Sequence, residues 1–266
     1  MKKTIVFFQI IFLGFSCKGP EAPKDNESYT SRDSKTFPAS EYCTPNQFTT
    51  LIGSYDFSGV LEDHFEDHPD WQDNPTKGVI NDAAYHQRNG RLEFEVLSAS
   101  MAASECWWKW KQNMSPDKSW KIRADMTVPE VWTTGENPEY QIGVGLFVGK
   151  PEGYTVFEVD FSAIAEGRRF VLSQNIQNRR GGDPNYVGMR VPLEKESVDM
   201  EIIYCHKDKS LSIFYDGIRV DTQPTDENGI FDWEIGSAFH VGIMAFSEGP
   251  ACTSDFLYVD NWEVYE

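Results

Sequence analysis

Basic side chains are scarce in this chain. Its 266 residues include 24 Lys and Arg against 42 Asp and Glu, which gives a formal net charge of −18 at pH 7. Loss of Lys2 and Lys3 with a leader peptide would make the charge more negative still. Binding to nucleic acid or to an anionic membrane surface depends on clustered Lys and Arg, so the composition argues against both as partners.

Motifs of several common enzyme and metal-binding classes are also absent. The sequence contains no Gly-rich phosphate loop, no Gly-x-Ser-x-Gly turn and no Cys-x-x-Cys pair that would indicate structural zinc. Four cysteines lie beyond the N-terminal region: Cys43, Cys106, Cys205 and Cys252. In an oxidising compartment they could form two disulfides in any of three pairings, although Cys205 ends an apolar strand and could remain a buried thiol.

No apolar run reaches the roughly 20 residues that a membrane-spanning helix needs. The N-terminus instead has Lys2 and Lys3 before the apolar residues 5–15, which is typical of a secretory signal. That run leads into LGFSC at residues 13–17, which resembles the lipobox of bacterial lipoproteins, although Phe15 stands where a small or aliphatic residue is usual. The resemblance implies that Cys17 is lipidated and that the protein is a membrane-anchored lipoprotein of the bacterial cell envelope, facing the periplasm or the cell surface. The alternative is an ordinary signal peptide with an incidental cysteine.

The next segment, residues 18–40, is rich in Pro, Ser and charge and has almost no apolar side chains. Because it can bury too little surface to fold, it predicts a tether. No clean break in composition follows residue 42. We therefore predict a lipoprotein signal peptide at 1–16, a flexible tether at 17–41 and one folded domain at 42–266.

Short segments of alternating apolar and polar residues fill this folded part. Examples are residues 91–97, 120–128 and 198–204, and no amphipathic helix interrupts the series. Side chains of a strand alternate between the two faces of a sheet, and short strands at regular intervals are typical of β-sandwiches and barrels. The sequence predicts an all-β antiparallel fold of about ten to twelve strands, with a hairpin turn at Asp216-Gly217.

Residues 140–161 predict the central hairpin. Each of its strands has one apolar row: Ile142, Val144, Leu146 and Val148 in the first, and Phe157, Val159 and Phe161 in the second. Both rows reach the same side of the sheet only if odd positions pair with even ones, as a loop at residues 149–152 would allow. That register puts two glycines beside Glu158 and Asp160, so we expect an open sheet face that could admit a flat ligand.

Four segments resemble parts of concanavalin A-like jelly rolls. Residues 210–220, SLSIFYDGIRV, are similar to the strand, Asp-Gly turn and strand of that fold; residues 241–246 and 255–264 are similar to its closing strands, and residues 56–59 to its opening. The resemblance loosely covers residues 42–266 and implies an antiparallel two-sheet jelly-roll β-sandwich. The superfamily includes laminin-G-like lectins, carbohydrate-binding modules, glycoside hydrolases and polysaccharide lyases, so it implies a connection with glycans and leaves the activity open.

Candidate catalytic residues follow from the same resemblance. Retaining glycoside hydrolases of this fold carry three acids on one strand, spaced Glu-x-Asp-x-Glu or with one residue more before the last Glu. Glu158 and Asp160 match the first two, whereas Ser162 and Ala163 occupy the third position in the two spacings. Because the mechanism needs a nucleophile and a separate acid/base, we commit to no catalytic residue and predict that Glu158 and Asp160 contact ligand. The plainer interpretation is a solvated polar face.

Aromatic and basic residues supply further ligand candidates. In an extended WWKW segment at 107–110, Trp108 and Trp110 share one face, and we predict that they form a platform for sugar stacking, against the alternative that they lie in the core. Lyases of this fold use a Tyr/His pair with Arg or Gln, and residues of those types are His86, Arg123, Tyr140 and Gln141. A basic island could bind a uronate- or sulfate-bearing glycan or form surface salt bridges; it comprises Arg168, Arg169, Arg179, Arg180 and Arg190.

No cofactor is predicted, apart from a structural Ca²⁺ that the resemblance implies near the first and last strands. Asp56 and Asp260 match in position, but Ca²⁺ takes six to eight oxygen ligands. The leading hypothesis is an exported, lipid-anchored protein that binds polysaccharide or oligosaccharide for recognition or utilisation. The alternatives are a glycoside hydrolase or polysaccharide lyase with a site near Glu158, Asp160 and Arg123, and a non-enzymatic envelope or adhesion component that binds protein.

Overall fold

The computed structural model describes residues 43–58, 70–73, 79–80, 84–95, 104–129, 131–133, 141–149, 156–164, 169–177, 185–193, 195–224, 238–247, 251–253 and 256–266. Apart from one 3₁₀ turn at Pro45–Gln47, their regular elements are β-strands. No helix with the length and apolarity that a membrane crossing requires occurs within these ranges.

The strands are numbered here in chain order. They are β1 (Leu51–Tyr55), β2 (Trp71–Asp73), β3 (Val79–Ile80), β4 (Ala84–Arg88), β5 (Arg91–Glu95), β6 (Ser104–Trp110), β7 (Trp120–Thr127), β8 (Val131–Thr133), β9 (Gln141–Gly149), β10 (Val156–Ile164), β11 (Arg169–Gln177), β12 (Asn185–Leu193), β13 (Ser197–Cys205), β14 (Ser210–Tyr215), β15 (Ile218–Pro224), β16 (His240–Ser247), β17 (Ala251–Thr253) and β18 (Leu257–Tyr265).

Two eight-stranded antiparallel sheets account for nearly all of these strands. Sheet A has the order β15-β14-β13-β7-β18-β5-β4, with β1 also paired to β18. Sheet B has the order β12-β11-β10-β9-β16-β6-β2, with β3 also paired to β6. The short strands β8 and β17 pair with each other. The predicted all-β, two-sheet jelly-roll sandwich is confirmed.

The main core lies between the sheets and is built from the alternating apolar rows. In β7 these are Ile122, Ala124 and Met126, and in β9 they are Ile142, Val144, Leu146 and Val148. All of them are fully buried. Each large apolar side chain removed from water in this way contributes about 1.5–3 kcal/mol, which explains why the period-two pattern selected the strands correctly.

The strand count is larger than predicted, because several strands carry no strong alternation. β2, β3, β8 and β17 have only two or three residues each. β12 was not predicted because Gly188 and Pro192 interrupt its pattern. It lies at the edge of sheet B, where Pro is tolerated, and its register against β11 shifts at Gln174/Asn175, which leaves Gly188 as the extra residue of a bulge.

A second, smaller cluster lies on the outer face of sheet A. Cys43 forms a disulfide with Cys205, the last residue of β13. Phe48, Ile203 and Phe214 pack around this bond, so the first described residues of the chain lie against the outside of the sheet. The alternative that Cys205 remains a buried thiol is therefore wrong. Cys106 is buried in the main core, and the side chain of Cys252 lies outside the described part, so a second disulfide stays a prediction.

Candidate functional site

The predicted central hairpin is formed by β9 and β10, with a different loop and register. Because β9 extends through Gly149 and β10 begins at Val156, the loop covers residues 150–155. Odd positions pair with even ones, as expected, and both apolar rows face the core. The glycines, however, pair with Asp160 and Ser162, and Glu158 pairs with Phe147. The expected pairing of a glycine with Glu158 is therefore wrong.

The third acid of the hydrolase pattern is missing from β10. This strand pairs with β9 and β11 from residue 156 to residue 164 without a register shift. In such an unbroken strand, positions 158, 160 and 162 share the outer face. Ser162 is fully buried, and Ala163 faces the core, so neither spacing provides a third carboxylate. The side chains of Glu158 and Asp160 lie outside the described part.

Strand pairing aligns one basic position with Asp160. Ser173 of β11 pairs with Asp160 on one side and with Arg190 of β12 on the other. Arg190 and Asp160 are therefore two strand spacings apart, about 10 Å between backbones. Arg169 begins β11, whereas Arg168, Arg179 and Arg180 of the predicted basic island lie outside the described residues.

Trp108 and Trp110 lie in the main core, and the prediction that they form a sugar-stacking platform is wrong. Trp108 is fully buried and its ring centroid lies 4.6 Å from that of Tyr85 and 4.7 Å from that of Phe94. Trp110 is 6% exposed and contacts Trp71 and Trp262 edge-on or tilted. A sugar cannot stack on a ring whose faces are covered by other core side chains. The alternation of the segment was predicted correctly, but its two faces were assigned the wrong way round.

The outer face of sheet B carries a different aromatic group, which we call the outer cluster. It consists of Trp107, Phe147 and Met244, with Phe246 packed against them. Trp107 and Phe147 meet edge to face at 5.2 Å between ring centroids. Both are fully buried, so the middle of this face is not the open surface that was expected.

Two glycines allow the rings of this cluster to lie against the sheet. A Cβ at Gly242 would stand 2.6 Å from the Phe147 ring and 1.9 Å from the carbonyl oxygen of Trp108. A Cβ at Gly143 would stand 2.7 Å from the Phe246 ring. Atoms cannot approach so closely, so only glycine fits at these positions. The glycines serve ring packing on the sheet, in place of the bare ligand floor that was expected.

Lys109 and His240 are two further residues of this face that sequence reasoning missed. Each is only 7% exposed. Burial lowers the pKa of Lys109, and burial together with the charge of Lys109 lowers the pKa of His240 to about 4. The signal was that Lys109 shares a strand face with Trp107, since a lysine indicates which face of the strand lies away from the main core.

Arg123 lies on the other sheet. It is in β7, where its Nε donates to Asp199 at 2.7 Å and its Nη1 donates to Glu263 at 3.0 Å. These bonds, the one to Asp199 first, raise the pKa of the guanidinium. The predicted site of Arg123 with Glu158 and Asp160 is therefore wrong, because β7 and β10 belong to different sheets. The order of strands in a sheet cannot be inferred from the local sequence pattern. Among the other lyase candidates, His86 is in β4 of sheet A, Gln141 begins β9 of sheet B, and Tyr140 lies outside the described residues.

Asp56 and Asp260 come near each other, with Asp125 as a neighbour. Burial and then the charges of Asp125 and Asp56 raise the pKa of Asp260, against a backbone hydrogen bond from Asn261. Asp56 Oδ1 accepts the backbone N–H of Ser58 at 2.9 Å. Within the described ranges no group of three or more His, Cys, Asp or Glu is arranged to hold a metal. The described residues at this place supply fewer oxygen ligands than the six to eight that Ca²⁺ takes. Calcium binding itself is not tested and stays a prediction.

The predicted lipidation site Cys17, together with the predicted signal peptide and tether, lies outside the described residues.

Comparison with known proteins gives structural matches alone. No protein-family model matches the chain, and no curated protein is similar to it in sequence. Among solved structures, the chain is similar to an endo-β-1,3-glucanase from Pyrococcus furiosus, with a TM-score of 0.57, 13% identity, and 86% of this chain and 98% of the other covered. It is also similar to the catalytic domain of an endo-1,3-β-glucanase (laminarinase) from Thermotoga petrophila, with a TM-score of 0.52, 14% identity, and 82% of this chain and 97% of the other covered.

A similar match is a CBM2 module of the evolved Dit of Lactobacillus casei phage J-1, with a TM-score of 0.51, 11% identity, and 81% of this chain and 95% of the other covered. One architecture thus matches proteins described as glucanases and a protein described as a CBM2 module. From its two antiparallel sheets and these similarities, we conclude that the chain has the concanavalin A-like lectin/glucanase jelly-roll fold.

Proposed function

We propose that the protein is an exported, lipid-anchored glycan-binding protein whose binding surface is the outer face of sheet B. The observation that carries this proposal is the composition of that face. It carries the partly exposed ring of Phe246, the basic side chains of Lys109 and His240, and the positions of two acids, Glu158 and Asp160, while strand β10 lacks the third acid of the hydrolase pattern.

Binding is favoured over hydrolysis by the geometry of β10. Retaining hydrolysis uses two carboxyl groups in separate roles, about 5–5.5 Å apart. On this strand only Glu158 and Asp160 are acidic, and in the pattern described above Asp160 corresponds to the supporting acid. Ser162 is buried and bears no carboxyl group, so it cannot act as the missing acid/base.

Export is supported by two separate features. The positively charged and apolar N-terminus ending in Cys17 is typical of a lipoprotein signal. In addition, Cys43 and Cys205 are bonded, and structural disulfides persist in oxidising compartments outside the cytosol. Together they favour a location in the bacterial cell envelope.

A polysaccharide panel tests the proposal. The chain from Lys18 onward keeps every described residue and carries no lipid. We expect its mobility in native gels to fall when one of the polysaccharides is cast into the gel, without release of reducing ends or unsaturated products. Normal mobility with every polysaccharide, together with a stable protein partner in a pull-down, would favour the adhesion alternative.

A glycoside hydrolase is the second candidate, favoured by the Glu158-x-Asp160 spacing on an unbroken strand of sheet B and by the glucanases among the similar structures. It predicts new reducing ends from a polysaccharide of the same panel. Glu158→Gln should then abolish product release while binding persists. The matched control is Glu196→Gln, an exposed glutamate just before β13 of sheet A, which should leave release unchanged.

A further inference from the structure

Lys109 and His240 are neighbours on the outer face of sheet B. Lys109 pairs with Gly242 of β16 and with Gln72 of β2. His240 lies two residues before Gly242 on the same strand, so both side chains are on the face that carries Trp107 and Phe147. Each is more than nine-tenths buried.

Neither of these basic side chains has an acidic partner among the described residues. In the part of the chain that the structure describes, no carboxylate forms an ion pair with Lys109 or His240, and the only interaction between charged groups here is the repulsion between the two. Lys109 keeps 7% of its surface exposed on this face, and its tip is not among the fully enclosed, unpaired polar atoms of the described side chains.

Lys121 on sheet A is a buried lysine that does have an acidic partner, and it serves as a comparison for Lys109. It is 8% exposed, almost as buried as Lys109, and its Nζ donates to Glu201 at 2.9 Å. A buried charge without a partner is strongly unfavourable, and this chain has 42 acidic residues from which a partner could come. Lys109 has no such partner among the described side chains, which is the property expected of a site whose anion arrives with a ligand.

We propose that Lys109 and His240 bind the anionic group of an acidic glycan, a carboxylate or sulfate carried on a sugar ring. This inference rests on the proposed glycan-binding function and names its substrate class. The ammonium of Lys109 supplies a charge-assisted hydrogen bond. His240 is neutral at pH 7 and donates one ring N–H to the same group.

The net charge of −18 does not oppose such a site at short range. At physiological salt the screening length is about 8 Å, so distant carboxylates reduce the rate of encounter more than the strength of the final contact. Arg190, in the strand row of Asp160, adds a further basic position to the same sheet.

The test is affinity electrophoresis of the chain from Lys18 in gels that contain laminarin, polygalacturonate or carrageenan. Laminarin is neutral, polygalacturonate supplies carboxylates and carrageenan supplies sulfates, so the three gels distinguish the source of the anion. Mobilities are compared with those of the same variant in glycan-free gels, which removes the effect of the altered charge. We expect retardation by at least one acidic polysaccharide.

Lys109→Met should weaken that retardation roughly 10- to 100-fold, the usual effect of losing a hydrogen bond to a charged group. The control is Lys118→Met, which removes the same charge from a side chain that is 62% exposed and paired with Glu266; its retardation should be unchanged. Because Lys109→Met removes an unpaired buried charge, its melting temperature should equal or exceed that of the parent, which separates lost binding from lost folding. His240→Phe should weaken retardation too and provides a second variant.

Each other outcome is decisive. Equal retardation of the parent and Lys109→Met by an acidic polysaccharide would overturn the site. Retardation by laminarin alone would overturn the acidic substrate class and leave the proposed glycan-binding function intact. Retardation by none of the three would overturn this inference, whereas the proposed glycan-binding function is decided by the wider polysaccharide panel.

Discussion

Removing the Cys43–Cys205 bond should destabilise the protein by an amount that its loop length predicts. The bond closes a loop with a sequence separation of 162 residues. The chain-entropy relation gives about 5 kcal/mol for a loop of this size, and losses measured for native disulfides are typically about 2–5 kcal/mol. We expect about 3 kcal/mol, within the measured range and below the entropic value, because an unfolded chain that retains residual structure loses less freedom when the loop is closed.

Thermal unfolding of the double variant Cys43→Ala/Cys205→Ala measures this loss. For a domain of this size, 1 kcal/mol shifts the midpoint by about 2–4 °C, so the variant should melt about 6–12 °C below the parent. Reductant should lower the parent to the same midpoint and leave the variant unchanged, which shows that the cross-link is the cause. In urea, the variant should also unfold with a larger m-value, because its unfolded chain is no longer cross-linked.

If the reduced parent and the double variant both melt within about 2 °C of the oxidised protein, the bond does not stabilise the fold by constraining the unfolded chain, since closing a loop of this length should contribute more to the free energy of unfolding.

Three further changes test other parts of the structure. Gly242→Ala should cost about 2–4 kcal/mol in urea unfolding, because its Cβ would overlap the backbone oxygen of Trp108, whereas Gly217→Ala, at φ +74° in open space, should cost only about 1 kcal/mol; equal costs would contradict the packing argument. Trp108→Ala should lose about 3–5 kcal/mol and, while it remains folded, keep its glycan affinity; a selective loss of affinity would return Trp108 to the binding surface. The folded state keeps His240 neutral down to about pH 4, whereas the unfolded chain protonates it near 6.5. The unfolded chain therefore binds more protons between these values, and up to about 3 kcal/mol of stability, complete above pH 6.5, is lost as the pH falls to 4. His240→Gln should remove that part of the pH dependence, and an unchanged profile would show that His240 is not protected from protonation.

Local pattern was sufficient to predict the strands with a regular apolar row. β5, β7 and β13 are close to their predicted bounds, and the Asp216-Gly217 turn has φ of 46° and 74° at its two residues, as a tight hairpin requires. β12 was not predicted, because Gly188 and Pro192 break its alternation and its formation depends on pairing with β11.

The candidate site was harder to predict, because alternation states which residues share a face and not which face is the core. Trp107 and Trp108 are chemically equal in this respect, and only the neighbouring sheet decides that Trp108 belongs to the main core and Trp107 to the outer cluster. The separation of Arg123 from Glu158 is likewise a property of strand order. Lys109 was the one local signal that could have assigned the two faces.

The position of the disulfide has a mechanical consequence for a tethered protein. With the anchor that we propose at Cys17, a pull on the bound glycan is transmitted through Cys43 and across the sulfur bond into Cys205, at the end of β13. β13 is flanked by β7 and β14, so the tension is borne by the interior of a sheet. The terminal strand β1, which pairs only with β18 among the described strands, would otherwise be unzipped one hydrogen bond at a time; behind the cross-link it carries none of the tension.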